Sequence, residues 1–301
     1  MNSAFKNERT IYLGIDGGGS KCKARVVDEK FRVLGSAVAG PANPVHGIEQ
    51  AIESIQSSAQ MALLAAGFEK NDISQVVAGV GLAGVNLPSL YQVMQEWQHP
   101  FKRLFLTTDL HIACLGAHGG EEGAVMVAGT GSCGYIYSKN KTAIYGAHGF
   151  PAGDKGSGAW LGLEAMKAVL LAQDGLAEAT QLTELLSAKL GTKGLGLVEV
   201  MVGASPRKYA QLAPLVIEAA EKNDAVAVGI IRDGACYLSM IARKLLADNP
   251  ARLSLLGGLS ERLMPWMDQD VVGRFSSPLD QPEAGAIYFA KKEMEFWRAA
   301  L

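Results

Sequence analysis

The stretch Tyr12-Leu-Gly-Ile-Asp-Gly-Gly-Gly-Ser20 decides how the rest of the sequence is interpreted. Its apolar start predicts a buried strand, and the three consecutive glycines predict a tight turn directly after Asp16. Because glycine has no side chain, several backbone N–H groups can approach one anion there, and Ser20 adds a hydroxyl donor, so the turn suits a phosphate group. Asp16 can hold a magnesium ion that bridges phosphate oxygens, usually through water. A tight hairpin with a capping aspartate is the alternative interpretation.

The same order of strand, glycine turn and strand returns about 110 residues later. Ala124–Ala128 is an apolar run, Gly129-Thr-Gly-Ser-Cys-Gly134 is the turn, and Tyr135–Ser138 is the second strand. Thr130 stands where Ser20 stands in the first turn. Two copies of one hairpin predict a duplicated architecture with a ligand between the halves.

Strands alternate with helices in the first half of the chain, and helices dominate the second half. Hydrophobic patterning predicts strands at Thr10–Asp16, Lys21–Asp28, Phe31–Ala39, Gln75–Val80, Arg103–Thr108, Ala124–Ala128, Tyr135–Ser138 and Leu253–Leu256. It predicts helices from Ile48 to a closing Gly67, from about Leu87 to Trp97, over most of Gly156–Leu246, from near Ser260, and from about Glu283 to Trp297. This alternation is typical of an α/β protein with a largely parallel sheet.

Composition and charge exclude several classes of protein. The 301 residues are 49% hydrophobic and 19% charged, which is enough for two cores. A formal net charge of -2 leaves no field to hold a polyanion, so no nucleic-acid partner is expected. The polar start MNSAFKNERT, the short apolar stretch Ile11–Ile15 and the lack of an apolar run of about 20 residues predict a cytoplasmic protein without signal peptide or membrane span.

The cysteines and two of the histidines give no signal for a site. The cysteines are scattered without metal-ligand spacing, so they are expected to be small buried apolar residues: Cys22, Cys114, Cys133 and Cys236. His111 and His118, on the helix predicted after Asp109, are expected to face solvent.

Two stretches also satisfy the GxGxxG spacing of a dinucleotide-binding fold. Gly79-Val-Gly-Leu-Ala-Gly84 follows a predicted strand and precedes a predicted helix, whereas Gly129–Gly134 is followed by a strand. The dinucleotide interpretation leaves the first glycine turn unexplained, and Asp109 lies beyond the usual offset of about 20 residues. We therefore rank it below the phosphate-turn interpretation, and the absence of a Walker A motif excludes a Walker-type NTPase.

Two aspartates are placed to do chemistry. Asp109 ends the run Leu104-Phe-Leu-Thr-Thr108, at the carboxyl end of a predicted strand, where open α/β sheets bind their ligands. Phosphoryl transfer to a sugar alcohol needs a carboxylate that takes the proton of the hydroxyl, so Asp109 is the predicted general base, with a helix N-cap as the alternative. Asp154, after the loop Gly146–Gly153, can accept hydrogen bonds from sugar hydroxyls or serve as a plain N-cap. His148 ranks below Asp109 as a base because no partner orients it.

Six motifs lie along the chain in one order: Tyr12-Leu-Gly-Ile-Asp-Gly-Gly-Gly-Ser20, Thr107-Thr-Asp109, Val127-Ala-Gly-Thr-Gly-Ser132, Gly153-Asp-Lys-Gly-Ser157, Leu256-Gly-Gly-Leu-Ser260 and Glu283-Ala-Gly-Ala286. The set resembles the BadF/BadG/BcrA/BcrD ATPase family, of the N-acetylglucosamine kinase and bacterial glucosamine kinase type. The resemblance implies the duplicated ribonuclease-H-like α/β fold of the actin, hexokinase and Hsp70 ATPases, with two domains and an interdomain cleft that closes on sugar binding. The restart of the pattern predicts one domain over residues 1–118, completed by the C-terminal helix 283–301, and a second over residues 119–282.

The resemblance also implies roles for individual residues. Asp109 is the catalytic aspartate, and Asp16 belongs to the turn that holds Mg²⁺ and phosphate. The implied nucleotide-binding residues are Asp16, Gly18, Gly19, Ser20, Thr130, Gly131, Ala210, Gly257 and Gly258. The implied sugar-binding residues are Asn43, Asp109, Ser132, Ala147, His148, Gly149 and Asp154.

The implied function is phosphorylation of N-acetylglucosamine or glucosamine at O6, with ATP and Mg²⁺, in cytoplasmic catabolism of amino sugars. The resemblance does not decide between the two sugars. His148 stands where the animal N-acetylglucosamine kinases of the family have a tryptophan, and Cys133 stands where they have an asparagine. A small amino sugar is the expected partner, and a homodimer is one assembly that the sequence allows. The alternatives are an ATPase that activates a CoA-ester reductase, which would need cysteines for an iron–sulfur cluster, and a sugar sensor without turnover.

Overall fold

The computed structural model describes residues 10–300, which form two compact units. Unit 1 runs up to Gly123 and resumes at Pro278, and unit 2 is the continuous segment Ala124–Ser277. The stretch MNSAFKNER, on which the prediction of no signal peptide largely rests, lies outside the described residues. The domain limits predicted above, residues 1–118 with 283–301 and residues 119–282, stay a prediction.

Unit 1 is built on a five-stranded sheet with the order β3-β2-β1-β4-β5. Its strands are β1 Tyr12–Gly17, β2 Cys22–Val27, β3 Val33–Ala39, β4 Val77–Leu82 and β5 Arg103–Thr108. The first three pair antiparallel, whereas β4 runs parallel to β1 and β5 parallel to β4. Every residue of β1 and β4 except Asp16 is buried, which explains their nearly continuous apolar sequences.

Helices cover both faces of this sheet. They are α1 Ile48–Ala65, α2 Pro88–Glu96, α3 Asp109–Ala117 and the last helix of the chain, α12 Pro282–Ala299. Leu13 and Ile15 of β1 point into a core shared with α1, whereas Tyr12 packs with residues of α12, as the alternation of side chains along a strand requires. Gly14 lets α12 approach β1 closely, because a methyl group there would overlap the carbonyl oxygen of Glu283.

The GxGxxG spacing at Gly79 is not a nucleotide-binding turn. Gly79 and Gly81 lie within β4, buried on both sides. A methyl group on Gly79 would overlap the carbonyl of Ala286 in α12, and one on Gly81 would overlap the side chain of Ile112 in α3. Both glycines therefore serve helix packing, and the dinucleotide interpretation is wrong.

Unit 2 contains a four-stranded sheet with the order β8-β7-β6-β9. Its strands are β6 Gly123–Ala128, β7 Ser132–Ser138, β8 Lys141–Gly146 and β9 Leu253–Leu256. As in unit 1, three consecutive strands are neighbours, and a later strand pairs in parallel with the first of them. The repeat agrees with the duplication predicted from the two glycine turns. Strand β8 was not predicted; it ends where the glycine-rich loop begins.

Eight helices complete the described part of unit 2: α4 Gly158–Gln173, α5 Leu182–Leu190, α6 Leu195–Met201, α7 Pro206–Ala210, α8 Ala213–Glu221, α9 Ala225–Leu246, α10 Ser260–Leu263 and α11 Gln269–Val272. Within residues 10–300, α9 alone has the length and composition of a membrane span. However, Ile231, Leu238 and Leu245 on one of its faces are fully buried in the core of the unit. This is the pattern of an amphipathic core helix.

Three of the four cysteines are buried as predicted. Cys236, on α9, is exposed, so the prediction was wrong for that residue. All four lie within the described residues, and none forms a disulfide.

Asp224 ties the start of α9 to the segment before α5. Its carboxylate accepts hydrogen bonds from the Ala227 N–H at 2.9 Å, the Thr180 hydroxyl at 2.9 Å and the Gln181 N–H at 2.8 Å. Desolvation would raise the pKa of Asp224, but these hydrogen bonds outweigh it and hold the pKa below its usual value. The ionised carboxylate thus stabilises the folded chain.

Asp224→Ala is expected to lower the free energy of unfolding by about 2 kcal/mol, because a helix cap is lost and the buried Thr180 hydroxyl loses its acceptor. The pKa is lower in the folded than in the unfolded state, so the ionic part of this stabilisation is present above the unfolded pKa. It is lost as the pH falls through the folded pKa. Urea unfolding of both proteins at neutral and acid pH measures this; an equal difference at both would contradict the ionic contribution.

Candidate active site

The first glycine turn joins β1 to β2 in unit 1. The Gly18 N–H donates to the Lys21 carbonyl at 3.0 Å, which closes the hairpin, and Gly19 and Ser20 are exposed at its tip. The Gly18 carbonyl accepts a hydrogen bond from the Ala42 N–H at 2.9 Å. This bond fixes the segment that carries Asn43 beside the turn.

At three glycines of the predicted nucleotide-binding turns, neither the backbone conformation nor the packing of the chain requires glycine. Gly19, Gly129 and Gly258 do not have a positive φ, and a Cβ atom on any of them would have no neighbour within 4 Å. Gly17 and Gly131 differ, because a Cβ there would meet Leu82 and the Asp154 carboxylate. The open space beside the first three lets a ligand approach the backbone closely at these positions, as phosphate-binding turns require. The Gly129 N–H itself donates to the Gly131 carbonyl at 3.0 Å.

Gly19→Ala is expected to raise the KM for ATP about tenfold, equivalent to the loss of about 1.4 kcal/mol of binding. The free energy of unfolding should change by less than about 0.5 kcal/mol, because the new methyl group meets nothing in the chain. Steady-state kinetics and urea unfolding measure the two effects. Gly229→Ala is the matched control, since Gly229 in α9 has equally open surroundings and lies outside the predicted turns. An unchanged KM for Gly19→Ala would argue against a ligand at this turn.

The second glycine turn joins β6 to β7 in unit 2 and lies against the start of α4. The Gly129 carbonyl accepts a hydrogen bond from the Gly158 N–H at 2.8 Å, and the Thr130 carbonyl accepts one from the Ala159 N–H at 3.2 Å. Thr130 itself is exposed. It therefore presents a hydroxyl at an exposed glycine turn, as Ser20 does in unit 1.

The predicted adenosine residues lie close to this second turn. Gly257 has a φ of +105°, and Leu259 donates its N–H to the Ala128 carbonyl at 3.1 Å, which brings the turn after β9 to the end of β6. A Cβ on Gly158 would lie 3.1 Å from the Cβ of Ala210 and 3.2 Å from Leu259 Cδ1. The start of α4 thus lies against Ala210, the second glycine turn and the turn after β9. These segments carry the residues predicted to bind nucleotide in unit 2: Thr130, Gly131, Ala210, Gly257 and Gly258.

Two predicted site aspartates lie at one edge of the unit 1 sheet. Asp16 lies near the end of β1, and Asp109 directly follows β5; β1 and β5 have the same direction, so their carboxyl ends meet at one edge. Desolvation raises the pKa of Asp16 to about 7, and the negative charges of Asp109 and Glu283 add to this effect. Desolvation also raises the pKa of Asp109. Carboxylates with raised pKa values are better proton acceptors near neutral pH.

This acidic edge suits a magnesium ion. Mg²⁺ prefers oxygen ligands and is commonly held by one or two carboxylates together with substrate phosphates. A cation beside Asp16 would also offset its repulsion by Asp109 and Glu283. The residues present therefore fit the ion that the glycine turn predicts.

Asp109 is not the N-cap of α3. Thr108 is the cap, because its hydroxyl accepts a hydrogen bond from the His111 N–H at 3.2 Å. Asp109 is the first residue of the helix, and its Oδ1 accepts a hydrogen bond from the Leu110 N–H at 2.9 Å. The capping alternative is wrong, and the carboxylate does not have to be there for the helix to start.

Asp154 is not an N-cap either. Ser157 caps α4 by accepting a hydrogen bond from the Trp160 N–H at 3.2 Å. Asp154 has a φ of +60°, and desolvation raises its pKa against the opposing effect of the backbone N–H groups of Gly149 and Ser132. The structure thus brings one group of predicted sugar-binding residues together in unit 2: Ser132, Ala147, His148, Gly149 and Asp154.

Asn43, the remaining predicted sugar-binding residue, lies in unit 1. Its Oδ1 accepts a hydrogen bond from the Val45 N–H at 2.9 Å, which orients the amide. The amide nitrogen donates to no group of residues 10–300 and is therefore available to a ligand. Unit 1 thus contains Asp16, Gly18, Gly19, Ser20, Asn43 and Asp109.

The histidines of α3 do not face solvent as expected. His118 is 2% exposed and lies 3.6 Å from Cys114 Sγ. His111 packs edge-on against Phe289, and desolvation lowers its pKa to about 4. Sequence reasoning also missed the charge of Glu283, which is buried next to the acidic edge. The sequence signal for this burial was the position of Glu283 directly before the small residues Ala284-Gly-Ala286, which are typical of a close-packed helix.

Comparison with known proteins decides the family. Residues 13–290 match the model of the BadF/BadG/BcrA/BcrD ATPase family. The chain belongs to this family. A glucosamine kinase from Vibrio cholerae is 34% identical over 281 residues, which are 93% of this chain and 96% of the relative. The family predicted from the six motifs is therefore confirmed.

Solved structures resemble the chain over nearly its whole length. A Chromobacterium violaceum protein, described as a candidate N-acetylglucosamine kinase, superposes with a TM-score of 0.88 at 30% identity, covering 93% of this chain and 99% of that one. A ROK hexokinase from Thermus thermophilus matches 95% of this chain and 100% of its own with a TM-score of 0.55 at 17% identity, which shows the fold alone. The predicted duplicated α/β fold of the hexokinase class is confirmed.

Proposed function

We propose that this protein is a kinase that transfers the γ-phosphoryl group of ATP to the O6 hydroxyl of glucosamine or N-acetylglucosamine. The observation that carries the proposal is the desolvated Asp109 carboxylate at the carboxyl end of β5, which α3 does not need as a cap. Phosphoryl transfer to an alcohol requires such a base, because the hydroxyl loses its proton as its oxygen bonds to phosphorus.

Each residue of the site has a role in this reaction. The open backbone N–H group of Gly19 and the hydroxyls of Ser20 and Thr130 bind ATP phosphate oxygens. Asp109 accepts the proton of the sugar hydroxyl while the hydroxyl oxygen forms its bond to the γ-phosphorus and the bond from phosphorus to the ADP oxygen breaks. Asp16 would hold Mg²⁺, which would supply positive charge to the phosphate oxygens.

The acceptor sugar is bound by the polar side chains of Asn43 and Asp154. The Asn43 amide nitrogen donates to a sugar oxygen, and the Asp154 carboxylate accepts hydrogen bonds from sugar hydroxyls. The relationship to a glucosamine kinase over most of the chain supports an amino sugar. His148, beside Asp154, and Cys133 are the residues we infer to distinguish a free amine from an acetamide.

A cytoplasmic role in the catabolism of amino sugars is part of this proposal. Such a kinase acts on sugars already inside the cell and uses ATP from the same compartment. A homodimer is the assembly we propose, because cyclic dimers are the commonest soluble oligomers.

A coupled assay of ADP release across glucosamine, N-acetylglucosamine, glucose and N-acetylmannosamine tests the proposed function. One of the first two sugars should give strong turnover, and NMR of the product should place the phosphate on O6. Sugar binding without ADP release would favour a sensor instead. ADP release that is independent of sugar, together with bound iron, would favour the reductase activator.

A further inference from the structure

Glu283 is a buried carboxylate with one unsatisfied oxygen. It lies in the first turn of α12 and is 7% exposed. Its Oε1 accepts a hydrogen bond from the Arg25 guanidinium at 3.0 Å. Its Oε2 is buried and has no hydrogen-bond partner within residues 10–300. Burying an oxygen of a charged group without a donor costs free energy, so this placement needs a reason.

Glu283 is held on the face of the unit 1 sheet that carries Asp16. Arg25, which donates to Glu283, is the cross-strand partner of Gly14, and Asp16 lies two residues after Gly14 on the same face of β1. The negative charge of Glu283 raises the pKa of Asp16, in agreement with this placement. A carboxylate in the first turn of a helix is favourable by itself, because it interacts well with the helix dipole. That interaction does not require burial, and it does not explain a second negative charge next to Asp16. A cation bound at Asp16 explains both the burial of Glu283 and its negative charge next to Asp16, because the cation attracts the carboxylates of Asp16 and Glu283.

We propose that Glu283 is a positioning residue that strengthens the binding of Mg²⁺ at Asp16 through its negative charge. The inference rests on the proposed function, in which Asp16 holds the ion. Arg25 fixes Glu283 by pairing with Oε1, and α12 holds its backbone against Gly14 of β1. Residues behind the direct ligands of a metal commonly tune its affinity in this way.

Asp280 provides a matched control. It pairs with the same guanidinium, Arg25, at 2.7 Å and precedes the same helix. However, its side chain is 39% exposed, so water and salt screen its charge far more than that of the buried Glu283. Loss of Asp280 therefore loosens Arg25 as loss of Glu283 does, without removing charge from behind Asp16.

Glu283→Gln is expected to raise the dissociation constant of Mg²⁺, measured by calorimetry on the protein saturated with ADP, about tenfold. Asp280→Asn should leave this constant within about twofold of the wild type, since surface ion pairs contribute little. Glu283→Asp keeps the charge and should bind Mg²⁺ more tightly than Glu283→Gln. Thermal unfolding without Mg²⁺ confirms that each variant is folded.

Two outcomes would overturn the inference alone. Either Glu283→Gln binds Mg²⁺ as the wild type does, or Asp280→Asn weakens Mg²⁺ binding as much as Glu283→Gln, which would make the ion pair merely structural. If the wild type itself shows no Mg²⁺-dependent binding of ADP, the proposed function fails as well. These results are distinguishable because the wild type is measured in the same titration.

Discussion

Asp109→Asn lowers the turnover number by at least about 100-fold, the scale of general-base catalysis. The amide has nearly the shape of the carboxylate but cannot take the proton of the sugar hydroxyl. Binding of ATP should change little, because Asp109 lies outside the glycine turns. Pre-steady-state and steady-state kinetics with the preferred amino sugar, together with calorimetry for ADP, measure the two quantities separately.

Thr108→Ala separates this role from helix capping. It removes the hydroxyl that accepts the His111 N–H and should destabilise the protein by about 1 kcal/mol. Its effect on turnover should be far smaller than that of Asp109→Asn. If Asp109→Asn keeps near-normal turnover, Asp109 is not the base.

Gly79→Ala should lower the free energy of unfolding by about 3 kcal/mol or more, because overpacking against backbone atoms cannot be relieved by a rotamer change. The added methyl group would overlap the carbonyl of Ala286 and lie 2.9 Å from the Cβ of Ala290, both in α12. Urea unfolding monitored by tryptophan fluorescence measures the loss.

Gly273→Ala is the control for this substitution. Gly273 has no positive φ, and a Cβ there would have no neighbour within 4 Å, so its stability should stay within about 0.5 kcal/mol of the wild type. A Gly79→Ala protein of normal stability that no longer binds nucleotide would revive the turn interpretation that the structure overturns.

The glycines show which part of the site the sequence can predict. A glycine in the sequence means that a side chain is missing, but it does not tell whether a ligand or another part of the chain occupies the space. At Gly19 the space is open and suits a ligand, whereas at Gly79 another helix fills it. Only the tertiary contacts distinguish the two, so both GxGxxG matches were plausible before the fold was known.

The prediction of strands from the sequence was limited in a similar way. The buried strands β1, β4 and β9 were predicted because apolar residues dominate them. Strand β8, Lys141–Gly146, was missed because it lies at the edge of its sheet and all six of its residues are at least partly exposed. Partial exposure removes the apolar signal on which strand prediction depends.

For the site, the aspartates were found because each follows a strand or a glycine loop, which is visible in the sequence. Thr108 and Ser157, which cap α3 and α4 in place of these aspartates, were not recognised from the sequence. An N-cap is defined by which side-chain oxygen reaches a backbone N–H, and the sequence does not show that distance. The burial of Glu283 depends on how closely α12 approaches β1. That approach involves residues more than 250 positions apart, as the bond between Arg25 and Glu283 does.

The discontinuity of unit 1 has a consequence for folding during synthesis. The strands of unit 1 leave the ribosome first, but α12, which covers one face of β1 and β4, follows the whole of Ala124–Ser277. Nascent domains generally fold as units. Unit 2 can therefore complete its core while unit 1 still lacks α12. Catalytic competence is therefore acquired last, when α12 docks and closes over Gly14 and Gly79.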